Sequence, residues 1–111
     1  KSFGRETTLD NDTDDIEELL SYLKGFSVHV SYALRVRSLY AKTITVKIKT
    51  SRFATHTKSK TIDSPIDKSK DIYKEAEKLL REINLNEKIR LIGLSVSNIT
   101  DGYQEQMTFL K

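Results

Sequence analysis

The chain has 111 residues, 37% of them hydrophobic, and a formal charge of +3, the profile of one ordinary globular domain. With no cysteine it can carry no disulfide framework, thiol nucleophile or cysteine zinc site, and no run approaches the ~18 apolar residues of a membrane-spanning helix. The charge is unevenly placed: none of the 16 acids falls between Leu19 and Ile62, 44 residues that hold nine cations and both histidines, His29 and His56.

Lys1 to Leu9 (KSFGRETTL) mixes β-branched, aromatic and charged residues at roughly period two and reads as a first strand. Lys1 in place of Met, with strand-like residues at once, suggests a domain excised from something longer, and the first residues contain no apolar signal-peptide stretch. Asp10 to Asp15 reads as a helix entry, with Thr13 or Asp12 as N-cap and Asp14, Asp15, Glu17 and Glu18 suiting the positive end of the helix dipole. Ile16, Leu19, Leu20, Leu23 and Phe26 then form one apolar stripe. Gly25 to Arg37 fits strand alternation in part, but Val30, Ala33 and Leu34 favour a continuing helix.

Ala41 to Thr50 is a half-buried strand, Ile44, Val46 and Ile48 alternating with Thr43, Thr45, Lys47 and Lys49. After Ser51 to Ala54, Thr55 to Ile62 (THTKSKTI) reads as its neighbour, with Lys58 and Lys60 on one face and Ser64-Pro65 ending it. Asp67 or Ser69 caps a second helix, whose buried stripe is Ile72, Ala76, Leu79, Leu80 and Ile83. Asn84 to Lys88 is a turn, and Ile89 to Asn98 is a last strand with Ile92, Leu94 and Val96 on one face and Gly93, Ser95 and Ser97 on the other. The order βαββαβ makes a two-layer α+β domain, a four-stranded sheet with both helices packed on one face. Residues 1–99 form the domain and 100–111 a flexible tail without periodicity.

Little in this chain supports catalysis. The four glycines are far apart, so no phosphate-cradling loop exists, and no Ser/His/Asp signature is present. The histidines stand 27 positions apart, and the aspartates from Asp10 to Asp15 lack the glycine and terminal glutamate of a calcium loop. The uncovered sheet face is the stronger candidate: Thr43, Thr45, Lys47, Lys49, Lys58, Lys60, Ser95 and Ser97 would all project from it. Lysines supply charge and hydroxyls supply short hydrogen bonds to phosphate oxygens, while the missing interleaved aromatics point to backbone tracking rather than base stacking. His56 stands among these cations, where it either meets a phosphate or does nothing specific; His29 reads as structural or exposed, and Tyr22, Tyr32 and Tyr73 as bordering the core.

Three separated motifs, KSFGRETT, THTKSKT and IRLIGLSVSN, resemble in order and spacing the little finger domain of Y-family translesion DNA polymerases, closest to their bacterial DNA polymerase IV branch. The likeness covers essentially the whole chain, departing most at Gly25 to Tyr40, where FSVHVSY replaces a charged helical run. It implies a non-catalytic domain that grips primer–template DNA across the major groove for a nucleotidyltransferase whose Mg2+-binding carboxylates lie elsewhere in the longer protein. It also implies a monomer in the bacterial cytoplasm, associated with the nucleoid and with no membrane contact. Carried over by motif, the contacts are Ser2, Gly4 and Arg5; Thr57, Lys58, Ser59 and Lys60; and Arg90, Ser95 and Ser97.

The tail resembles a sliding-clamp-binding peptide, with Gln106, Met107, Phe109 and Leu110 in the order glutamine, aliphatic, polar, then two apolar anchors, the last two exchanged. A second reading follows from it: a protein-interaction module whose main work is docking on the replication clamp.

Overall fold

The computed structural model of the chain describes residues 1–84 and 86–101. Its elements run β1 (Phe3–Thr13), α1 (Ile16–Arg35), β2 (Tyr40–Thr50), β3 (Thr55–Ile66), α2 (Ser69–Glu82) and β4 (Ile89–Thr100), the βαββαβ order read from the sequence. The strands form one antiparallel sheet in the order β1-β4-β2-β3. Strands β1 and β2 therefore run parallel with β4 between them, and β3 and β4 run parallel with β2 between them. Each helix is the crossover of one such pair, and two crossovers of the same hand place both helices on one face.

The core lies between the layers. Ile44, Val46 and Ile48 of β2 and Ile92, Leu94 and Val96 of β4 meet Leu19, Leu23, Val30 and Leu34 of α1 and Ile72, Ala76 and Leu80 of α2, all almost wholly buried. Apolar residues recur every second position in the strands and every third or fourth in the helices, so one face of each element can turn inward. Where α2 begins, two buried serines of α1 let it come close: Ser31 Oγ donates to the Asp67 carbonyl at 2.7 Å, while Ser27 Oγ donates to Leu23 within its own helix.

Boundaries differ from the sequence reading for local reasons. Strand β1 runs on to Thr13, so the helix entry moves down the chain and Asp15 is the N-cap, its Oδ1 accepting the Glu17 amide at 3.0 Å. Thr13, expected as the cap, instead accepts the Asp15 amide at 3.1 Å. Helix α1 continues through Gly25 to Arg35, as the helical reading of that segment has it. Strand β3 passes through Pro65, because an edge strand has an outward side on which a missing N–H costs nothing, and its pairing shifts register between Ala41 and Thr43 of β2. Helix α2 has Lys68 at its N-cap with no side-chain cap, rather than Asp67 or Ser69. Tyr22 and Tyr73 pack against the core, but Tyr32 is 70% exposed.

Candidate nucleic-acid interface

Residues paired across a sheet point to the same side, so the register states what the uncovered face carries. Thr43, Thr45, Lys47 and Lys49 of β2 lie beside Thr61, Ser59, Thr57 and Thr55 of β3, and on their other flank Ser97, Ser95, Gly93 and Leu91 of β4. Beyond β4, Gly4 stands opposite Ser95 and Glu6 opposite Gly93. The result is a field of hydroxyls with two lysines of β2 toward the β2–β3 turn. Cross-strand pairs hold some of the hydroxyls, Thr43 Oγ1 to Thr61 Oγ1 at 2.8 Å and Thr45 Oγ1 to Ser59 Oγ at 2.6 Å. In each pair one hydroxyl spends its proton on the other, which keeps its own O–H for a ligand oxygen.

Two glycines shape the floor. A Cβ on Gly93 would lie 2.9 Å from the Glu6 Cβ, and one on Gly4 would lie 2.9 Å from the Ser95 Cβ. The close pairing of β1 with β4 therefore needs glycine at both places. Above them opens a depression of ≈ 330 Å³ whose rim includes Thr45, Lys47, Glu6 and Ser95. Lys47 Nζ lies 3.2 Å from Glu6 Oε1, with both side chains well exposed. No acid is among the residues that the sequence placed on this face, yet it carries one, and that acid engages one of its two lysines.

Lys58 and Lys60 do not join that face. They pair with Val46 and Ile44, whose side chains are in the core, so both lysines lie on the helix side of β3. There Lys58 Nζ lies 3.4 Å from Glu82 Oε1 and Lys60 Nζ 3.6 Å from Glu75 Oε1, tying the edge strand to α2. Glu75 is largely buried and its Oε1 accepts no hydrogen bond, so the ammonium groups of Lys60 and of Lys78, the latter 3.9 Å from Oε2, are what balance it. The sequence reading put these lysines with Thr43 and Lys47. In a segment that is polar on both sides, alternation says which residues share a face but not which face looks outward.

Other expected residues divide similarly. Thr57, Ser59, Ser95 and Ser97 share the open face, and Ser2, just before β1, is exposed and by alternation on the side of Gly4. Arg5 pairs with Leu94 and turns to the helix layer, where its Nη1 lies 3.2 Å from His29 Nδ1. His56 pairs with Ile48 and is likewise turned from the open face. Arg90 sits where the β2–β4 register slips, its guanidinium 4.7 Å from the ring centre of Phe53. Gln106, Met107, Phe109 and Leu110 lie outside the described residues.

The sequence reading missed Glu6, Thr55, Thr61 and Phe53. Glu6 was visible as an acid on the same alternation as Gly4, and Thr55 and Thr61 as the same-parity neighbours of Thr57 and Ser59. Phe53 gave a fainter signal, an aromatic in a short connection: at the β2–β3 tip it is 62% exposed at φ 67°, held by its backbone N–H, which donates to the Thr50 carbonyl at 2.9 Å. Among the described residues no three His, Asp or Glu side chains are grouped to hold a metal ion, and no helix is long and apolar enough to cross a membrane.

Residues 1–109 match the impB/mucB/samB family C-terminal domain. The chain is 36% identical over 118 residues to DNA polymerase IV of Leptospira interrogans, a match covering 99% of this chain and 33% of that protein. It spans about a third or less of the length of the curated relatives it matches. In structure it resembles the insertion ternary complex of Dbh DNA polymerase, with TM-score 0.79 and 28% identity over 89% of this chain and 28% of that one. It shares its fold with the little finger domain of PolIV solved in complex with the beta-clamp processivity factor, with TM-score 0.72, 22% identity and 87% of each chain covered.

Proposed function

The chain belongs to the impB/mucB/samB family C-terminal domain, the little finger of Y-family DNA polymerases, and from this we propose that its open sheet face holds primer–template duplex for a longer polymerase. One observation carries the reading: Lys47 and Lys49 stand side by side on the uncovered face toward the β2–β3 turn, continuous with threonine and serine hydroxyls from three strands. Ammonium groups attract the phosphate backbone over several ångströms, and hydroxyls close on its oxygens by short hydrogen bonds. No aromatic side chain interleaves with them among the described residues of that face, so contact follows the backbone and tolerates any sequence, as copying demands. The nucleotidyl transfer and the Mg2+ it uses belong to the catalytic part of the longer protein.

Titration of a labelled primer–template duplex at several salt concentrations tests this. Affinity is expected to fall with a log–log slope of about −0.9 per neutralised phosphate, and Lys47→Ala with Lys49→Ala to weaken binding and flatten the slope by about 2. The pair Lys58→Ala with Lys60→Ala, on the helix side, is expected to change it less. Affinity indifferent to salt and to the first pair would sink the reading.

A second role is supported by the Gln106 to Leu110 sequence and by the fold shared with a domain solved on a clamp: docking on a sliding clamp through the C-terminus. A chain ending at Asp101 is then expected to lose clamp binding and keep duplex binding. Clamp binding that survived the deletion would place that interface elsewhere.

A further inference from the structure

The side of α1 turned away from the sheet carries an apolar line that the core does not use. Val28, Tyr32 and Val36 follow one another at four-residue intervals and are 58%, 70% and 56% exposed. They are three of the four most exposed large hydrophobic side chains among the described residues. Spacing of four keeps them on one edge of the helix, so they form a continuous strip rather than scattered contacts.

Beside this strip, between α1 and the start of α2, lie two depressions of ≈ 270 and ≈ 470 Å³ that share Val28 and Ser69 and so form one trough. Lys24 and Lys70 stand at one end and Arg35 at the other, and no acid lines either depression. Acids come in beyond Tyr73, whose phenol is pushed above its usual range by burial and then by the Glu77 and Glu17 carboxylates; Glu77 is held by Arg81 at 3.0 Å. The trough has a fixed wall, because Ser31 bonds the Asp67 carbonyl and sets α2 against α1.

We propose that this trough docks an acidic amphipathic segment of a partner protein, its apolar side chains lying along Val28, Tyr32 and Val36 and its carboxylates meeting Lys24, Arg35 and Lys70. The charges choose this occupant. In a symmetric dimer the same patch meets itself, and these cations would be brought together. Nucleic acid would answer the cations, but of the strip only Tyr32 offers a ring on which a base could stack, and Val28 and Val36 on either side of it have no counterpart on a sugar–phosphate backbone. The trough belongs to the helix layer, away from the open sheet face, so its occupancy stands independently of duplex binding.

The probes are a fluorescein-labelled helical peptide with leucine at every fourth position and glutamate between, and its twin with lysine for glutamate. Anisotropy with the 111-residue chain is expected to show saturable binding of the acidic peptide, ~10-fold or more tighter than the lysine twin. Val28→Ser with Tyr32→Ser, both exposed, is expected to weaken it by about tenfold while the circular dichroism melt stays in place. Lys24→Glu with Arg35→Glu, a change that leaves the apolar strip intact, is expected to turn the preference toward the lysine twin. Equal affinity for the two peptides, or indifference to both double variants, would overturn the proposal. So would displacement of the peptide by a single-stranded oligonucleotide, self-association in sedimentation that Val28→Ser with Tyr32→Ser abolishes, or tighter peptide binding once residues 102–111 are removed; these name nucleic acid, a second copy or the chain's own end as the occupant.

Discussion

At the scale of single residues, Glu6, Lys47 and Gly93 form the most consequential cluster of the open face. Glu6 holds Lys47 at 3.2 Å, so a phosphate arriving at Lys47 must compete with a carboxylate already there. Glu6→Gln is expected to tighten duplex binding by about twofold to fivefold, the size of a partly exposed ion pair, and to steepen its salt dependence. Equal or weaker binding by that variant would show that the carboxylate orients the lysine instead of restraining it. Gly93→Ala acts on the same spot sterically: the new methyl would sit 2.9 Å from the Glu6 Cβ, so β1 must move away from β4. A loss of about 1–3 kcal/mol is expected, read as a lower thermal midpoint, with weaker duplex binding if the floor shifts. The carboxylate and the glycine are plain in the sequence, but their contact across two strands far apart in the chain is not.

At the scale of elements, α1 and β3 show opposite kinds of legibility. Helix α1 was readable because its buried positions repeat every three or four residues for 20 residues, enough to outweigh the alternation of Phe26, Val28 and Val30 and the glycine at its centre. Gly25 is exposed, at ordinary helical φ, with nothing within 4 Å of a Cβ placed there. Gly25→Ala is therefore expected to stabilise the domain by about 0.5–1 kcal/mol, seen as a higher melting midpoint; a lower one would show a packing need that the helix does not display. Strand β3 was readable as a strand but not as to its facing. From Thr55 to Thr61 it is polar on both sides, so no burial energy distinguishes the two orientations within the segment, and pairing with Ile44 and Val46 decides that Lys58 and Lys60 turn to α2.

At the scale of the whole molecule, two interleaved crossovers put every residue of the described core cluster between Leu9 and Val96. A chain ending at Asp101 keeps all of them and is expected to melt within a few degrees of the full chain; a large drop would mean that residues 102–111 pack on the fold. The same architecture separates two surfaces, hydroxyls and lysines on the bare side of the sheet and an apolar, cation-flanked trough on the helix layer. The sequence by itself determined the number and type of elements, the core stripe of each and the family, because these rest on periodicity and motif order along the chain. The tertiary structure alone decided which polar residues of β1 and β3 join those of β2 and β4, since strand order and register are fixed by burying the apolar sides of β2 and β4 beneath the helices. That burial sends Lys47 and Lys49 outward, turns Lys58 and Lys60 toward the carboxylates of α2, and brings Glu6 into a face for which the sequence reading had named no acid.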